Sequence, residues 1–318
     1  MHAQTPTTAP NTPSPECTNA PYDVIIVGGS YAGLSAGLPL ARAYRRVLVI
    51  DDNQRRNRFG THSHGFLTQD GTLASDIAKI GKEQLLKYRT VDWVDGRALN
   101  AKKSDDGFVV TLENGECKTA RRLILATGVK DILPAIHGIS ERWGQSVFAC
   151  PYCHGYELNQ GNIGVIATGE LSVHSALMLP DWGHTTLLTN GLTLSDNDIA
   201  RLTARKVSLE HRAIACIENH ADIRLADGTL LSFAGIVVAP NFEQASTLGE
   251  SLGCQMDDTP LGKILQVSPL RATSIDGVFA CGDSTRLGGS VTLAVADGTL
   301  AGTSAHQSLI GLTNKPLI

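Results

Sequence analysis

The chain has 318 residues, a net charge of −4, 42% hydrophobic and 18% charged residues, enough for one large or two medium domains with proper cores and no disulfide scaffold. With no basic field and only 5% aromatic residues, nothing attracts a phosphate backbone, so nucleic acid is excluded as a partner class. The apolar runs, such as Val24–Val27 and Val47–Ile50, fall far below the roughly 18 residues a helix needs to cross a bilayer, and no membrane span is expected.

Residues 1–20 are rich in Pro, Thr and Ser and lack both an early basic region and a continuous apolar core; they read as a disordered tail, not a secretory signal. The 7 cysteines, at positions 17, 117, 150, 153, 216, 254 and 281, are odd in number and, one pair apart, scattered. That usage fits a reducing cytoplasm. The 32 glycines are the informative excess, because glycine gathers where backbone turns tightly or approaches a ligand.

After the tail, YDVIIVGGSYAGLSAGLPLARAYRRVLVIDD reads as strand, glycine turn, helix and strand. Val24–Val27 is short, apolar and β-branched, as a strand buried on both faces should be; the helix covers Leu34 to Arg42 and the next strand Arg46–Ile50. Gly28, Ser30 and Gly33 hold the three glycine positions of G-x-G-x-x-G, with serine at the second. Gly28 permits the tight turn, a small residue at 30 lets backbone approach a pyrophosphate, and Gly33 lets helix and strand pack. Asp51 or Asp52, closing the second strand about 20 positions on, is placed to accept a ribose hydroxyl.

The stretch RRNRFGTHSHGFLTQDG, residues 55–71, reads as a solvated loop in which His62 and His64 would face one side of an extended backbone. ARRLILATGVKDILP, residues 120–134, is a strand ending in Thr127-Gly128, and SIDGVFACGDS, residues 274–284, a strand ending in Gly282-Asp283. Ligands of open α/β sheets lie at the carboxyl ends of strands, so both pairs should meet one cofactor.

Between them lies FACPYCHGYE. Cys150 and Cys153 can be a redox dithiol, half of a metal site or two small core residues. A zinc site would need a second close pair of ligands, and the other cysteines are single. At a helix start the backbone N–H groups would lower a thiol pKa, which favours the redox reading. Further on, NIGVIATGELSVHSALMLPDWGHTTLLTNG repeats the pattern of strand, turn, helix and strand. Its turn is Ala167-Thr168-Gly169 followed by Ser172, and the strand Thr186–Thr189 leads to Asn190-Gly191 without an arginine pair. Alanine crowds such a turn, and missing cations remove the charge-assisted bonds to a 2′-phosphate. The sequence therefore argues against conventional NADPH coupling and leaves NADH binding through Gly169 open.

The order GGSYAG, LILATG, C-x-x-C, GVFACGD resembles the low-molecular-weight thioredoxin reductase family, from Tyr22 to about Leu309. The resemblance implies an α/β fold of two dinucleotide-binding, Rossmann-like three-layer domains. Residues 21–133 and 255–318 would form the FAD-binding domain, and 134–254 an inserted pyridine-nucleotide-type domain carrying the C-x-x-C. It also implies FAD as cofactor, with Asp283 on the ribityl chain and the helix from about Ser290 aimed at the flavin. Cys153 would exchange electrons with FAD and Cys150 with the substrate.

His154 stands where the family has an acid, with Glu157 one turn on, and histidine there could act as general base. His174 stands where the family commonly has Glu. Asn57 and Arg58 look similar to cofactor-contacting positions, and His62 and His64 would line the flavin or substrate cleft, without a metal role. The implied partner is a thioredoxin-like protein or a small dithiol, the implied assembly a homodimer with rotating domains. CPYCHGYE and GGSYAGLSA are also similar to dithiol oxidases that close disulfides in gliotoxin- and holomycin-like metabolites and pass electrons through FAD to O2, and to reductases fed by another donor such as ferredoxin. An ordinary NADPH-dependent thioredoxin reductase and a flavin redox sensor without turnover are the alternatives.

Overall fold

The structure is a computed structural model and describes residues 20–312. The expected tail, Ala20 excepted, and Cys17 lie outside the described residues. The run read as a buried strand forms Tyr22–Val27, with Val24, Ile25 and Ile26 wholly inaccessible. Full burial of such side chains contributes about 1.5–3 kcal/mol each, and this strand sits in the middle of its sheet. Parallel to it on one side runs Val47–Asp51, followed by Val91–Asp95; on the other runs Cys117–Leu125.

The far edge of Cys117–Leu125 is shared. Its first half pairs antiparallel with Gly107–Leu112, itself joined to Ala98–Ser104, and its last residues pair in parallel with Val278–Ala280. The last strand therefore comes from the far end of the chain and completes a seven-stranded sheet. Because the Tyr22–Val27, Cys117–Leu125 and Val278–Ala280 strands are parallel, their carboxyl ends open on the same edge.

A second sheet is wholly parallel, in the order Val147–Phe148, Gly235–Val238, Gln160–Ile166, Gly183–Leu188, Ser208–Glu210. All its strands come from the segment between two strands of the first sheet. A two-stranded antiparallel ribbon, Val129–Ile132 with Asn241–Gln244, carries the chain out and back.

Two helices set the approach to the first sheet's open edge. Tyr31–Arg42 follows the glycine turn and crosses the C-terminal helix Val291–Leu309 closely. Side chains at Gly298 and Gly302 would strike the carbonyl oxygens of Ala32 and Ala36, and Ser35 Oγ donates to the Val295 carbonyl at 2.7 Å. Small residues thus let the helices touch backbone to backbone. The first helix begins at Tyr31, earlier than the expected Leu34: Ala32 favours helix, and the weak helix former Gly33 is held there by close packing. The second strand spans Val47–Asp51 instead of Arg46–Ile50, and the one expected at Thr186–Thr189 is Gly183–Leu188.

Candidate redox site

The glycine turn has the geometry its residues suggest. Gly28 has φ +100°, and a side chain there would meet the Ala126 carbonyl of the neighbouring strand. A side chain at Gly33 would strike the Gly28 carbonyl, so Gly33 acts in packing and does not line the cleft. Ser30 is the N-cap of the helix, but its side chain makes no capping bond. The first N–H groups of a helix have no partner within it, and here they open on a cavity of ≈ 530 Å³.

That cavity gathers most of the residues the sequence singles out. Gly28, Ser30, Asp51, Asp52, Thr127, Gly128, Gly282 and Asp283 reach it from the first sheet; Cys150, Cys153 and His154 reach it from the second. A second cavity of ≈ 850 Å³ adjoins it, sharing Gly28, Asp52 and Thr127. The two carboxylates after the second strand differ. Buried Asp51 accepts the Gly29 N–H at 2.9 Å and braces the turn, with burial pushing its pKa up; Asp52 is exposed, bonds only the nearby Gln54 N–H and faces both cavities.

Cys150 is the N-cap of the short helix Pro151–His154, with Pro151 supplying the fixed first φ. The Cys153 thiol hydrogen-bonds the Cys150 sulfur, and backbone N–H groups of Cys153 and Tyr152 point at the same atom. Against the effect of burial, these bonds pull Cys150 down to about 6. The same bond, then burial and the Cys150 charge, push Cys153 well above the ordinary thiol range. These opposite shifts favour the thiolate on Cys150 over Cys153.

His154 packs on Phe148, ring centroids 4.9 Å apart. Burial lowers its pKa, which Glu157 opposes and His64 reinforces. His64 lies between Glu157 and Asp70, its ring nitrogens 3.4 and 3.6 Å from their carboxylates. The alternation of His62 and His64 is realised in only two residues of strand, His62–Ser63, yet both imidazoles reach the cavity. No cluster of three or more His, Cys, Asp or Glu placed to hold a metal occurs among the described residues.

Asn57 and Arg58 part company. Asn57 reaches the cavity and donates to the Tyr31 hydroxyl at 3.0 Å, whereas Arg58 lies over the Phe59 ring and lines the larger cavity. Sequence reasoning missed their neighbour Arg56, whose guanidinium binds both Asp131 and Asp283. Nothing local marks it out among Arg55, Arg56 and Arg58, since its partners stand 75 and 227 residues away.

The second strand–turn–helix differs from the first. Ser172, buried, turns its hydroxyl back to accept the Thr168 N–H at 2.9 Å, and Thr168 Oγ1 donates to the Ala239 carbonyl at 2.7 Å. Glu170 is the N-cap of the helix Leu171–Met178. Beyond the next strand, the Asn190 side chain accepts the Ile214 N–H at 3.3 Å.

An open nucleotide turn and a thiol pair meeting in one cleft, on a mixed and a parallel sheet joined by a ribbon, are features of flavin disulfide enzymes, and residues 22–298 match the Pyridine nucleotide-disulphide oxidoreductase family. The chain belongs to that family. It is an oxidoreductase of the thioredoxin reductase-like, FAD-binding kind. It is 32% identical over 315 residues to thioredoxin reductase tcpT of Claviceps purpurea, covering 92% of this chain and 95% of the relative. To thioredoxin reductase sirT of Leptosphaeria maculans it is 29% identical over 312 residues, covering 91% and 95%. The crystal structure of an oxidoreductase from Agrobacterium tumefaciens superposes with a TM-score of 0.90 at 49% identity, over 92% of this chain and 100% of that one. The two-domain, Rossmann-type α/β fold expected from the sequence is that of the solved structure it superposes on. No helix among the described residues is long and apolar enough to cross a membrane.

Proposed function

We propose that the chain catalyses dithiol–disulfide exchange through Cys150 and Cys153, coupled to bound FAD and without conventional NADPH coupling. The observation that carries this reading is that Cys150 and Cys153 open into the same cavity as the Gly28–Ser30 turn and Asp283. The residues suit the cofactor: the turn has the bare backbone and free helix start that a diphosphate needs, and Asp52 suits a ribose hydroxyl. Asp283 and the N-terminus of the Ser290-capped helix would flank the ribityl chain and the flavin ring. FAD supplies a two-electron store beside the thiols. The chain's own residues hold the thiolate on Cys150, where it attacks or leaves a substrate sulfur, and keep the Cys153 proton until its thiol is oxidised. His154, neutral because it is buried, is the proton acceptor in the cleft.

Against NADPH stands the filled second turn. The Thr168 N–H, which would face a pyrophosphate, is already bonded to Ser172, and Glu170 puts a negative charge where a helix start favours anions. The partner is a thioredoxin-like protein or a small dithiol, with O2 or a ferredoxin-type donor at the other end, in a cytoplasmic homodimer. The inserted segment 134–254 would act as one domain and 21–133 with 255–318 as the other. The deciding experiment is anaerobic reduction of the yellow protein by dithiothreitol, NADPH and NADH in parallel, read by flavin absorbance. Bleaching by the dithiol alone is expected. Bleaching by NADPH within the dead time of a stopped-flow mixer would make the protein an ordinary NADPH-dependent reductase.

A further inference from the structure

We propose that Arg56 is a positioning residue of the cofactor site, holding Asp283 in one orientation and tying it, through Asp131, to the ribbon that joins the two sheets. The inference rests on the flavin reading above. Arg56 opens a short 3-10 turn, Arg56–Phe59, and its guanidinium lies where the two cavities adjoin. Nε reaches both Asp131 oxygens at 3.2 and 3.1 Å and Nη2 reaches Oδ1 at 2.6 Å, while Nη1 reaches Asp283 Oδ2 at 2.9 Å. The fork grips Asp131 by its Nε–Nη2 edge and Asp283 by one oxygen.

Three parts of the chain meet at this cation. The loop after the second strand carries Arg56. Asp131 belongs to the ribbon strand Val129–Ile132, opposite Phe242. Asp283 follows the last strand of the first sheet, and its carboxylate occupies space that any side chain at Gly289 would fill. Both carboxylates are largely buried, with side-chain exposures of 9% and 20%. Two such anions side by side would repel each other strongly at low dielectric without the guanidinium between them. Burial alone would weaken the hold of Arg56 on its proton, but Asp131, then Asp283, more than reverse this and raise its pKa.

The planar fork matters as well as the charge, because a lysine can neutralise Asp283 but cannot span two carboxylates in fixed geometry. Asp283 Oδ2 is committed to Arg56, which leaves Oδ1 for a hydroxyl of the cofactor. The cluster also sets the local potential. Removing the cation leaves two anions beside the cleft and disfavours the electron-rich reduced cofactor; removing Asp131 does the opposite.

The test compares wild-type holoprotein with Arg56→Gln, Arg56→Lys and Asp131→Asn. It measures the flavin dissociation constant, the anaerobic equilibrium between flavin and dithiothreitol, and the thermal unfolding of the flavin-free proteins. Arg56→Gln is expected to weaken flavin binding about tenfold and to shift the equilibrium toward oxidised flavin by about tenfold, about 30 mV for a two-electron couple. Arg56→Lys restores the equilibrium but not the affinity. Asp131→Asn also loosens flavin but shifts the equilibrium toward the reduced form. Opposite shifts in these two variants are something a merely structural role would not produce.

A wild-type dissociation constant and equilibrium in Arg56→Gln overturns the proposal, as does a fall in thermal stability with the equilibrium unmoved. If Arg56→Gln does not fold, Asp131→Asn decides alone: a shift toward reduced flavin supports the role, and no shift overturns it. A wild-type protein that binds no flavin overturns the reading under Proposed function first, so the two failures are distinguishable.

Discussion

The chain builds the same strand, turn and helix twice, and the two copies have taken opposite courses. At Gly28 the turn is bare, its N-cap serine makes no capping bond, and the helix start faces a cavity. At Ala167 the strand is just as buried, Ile163 and Ile166 being wholly inaccessible, but Ser172 and Thr168 have closed the turn upon itself. The core of a nucleotide-binding unit and its ligand turn are therefore separable. Hydrophobic burial keeps the unit folded, while a few small or polar residues at one strand end set whether its turn is open or hydrogen-bonded upon itself. What the second half brings to the cleft is its thiol pair.

That contrast can be broken from either side. The largest effect is expected at the thiols: Cys153→Ser removes what the second half contributes and should slow flavin bleaching by dithiothreitol at least about a hundredfold, with flavin still bound. Undiminished turnover in that variant would end the redox assignment. Next comes the first half's turn. Gly33→Val drives a branched side chain into the Gly28 carbonyl, at a cost of about 1–3 kcal/mol, and the purified protein should emerge with its yellow colour largely lost; a full flavin spectrum would show that the turn does not cradle the cofactor.

A smaller effect concerns acidity. Since the thiolate is the attacking species and Cys150 is held down to about 6, its alkylation in the reduced enzyme should be half-maximal at about 6 and level above that. An ordinary thiol would still be gaining rate up to pH 8–9 or so. A half-point near the ordinary thiol value would refute the placing of the thiolate on Cys150. His154→Ala should move the pH profile of flavin reduction without moving this alkylation midpoint. The smallest effect is expected at the closed turn: Glu170→Lys with Ser172→Ala reverses a charge and frees an N–H, and should tighten NADPH binding by less than about tenfold. Rapid flavin reduction by NADPH after only these two changes would show that the second turn is barely closed.

Much of this was legible in the sequence because the first nucleotide turn is a local pattern. Gly28, Gly33, the β-branched strand before them and the acidic pair after Ile50 lie within one short span, and each residue type there has a single physical reason. Thr127-Gly128 and Gly282-Asp283 were legible as strand ends, and the parallel pairing of those strands explains why they converge. Asp51 and Asp52 could not be told apart, since which of them turns toward Gly29 depends on strand register against the turn. Arg56 was invisible for another reason. Its meaning comes entirely from Asp131 and Asp283, contacts across long sequence separations that leave no periodicity. His64 was noticed for its alternation with His62, but its acidic neighbours, Glu157 from the cysteine segment and Asp70 from its own loop, emerge only in three dimensions.

The ribbon of Val129–Ile132 and Asn241–Gln244 has a consequence for how such a chain can change over generations. Ile132, where the chain leaves, is the register partner of Asn241, where it returns. The long segment between them hangs from two neighbouring points, so its removal or replacement would leave ends that a short turn could close. Hung in this way, the segment could be exchanged as one piece while the sheet beneath keeps its strand order.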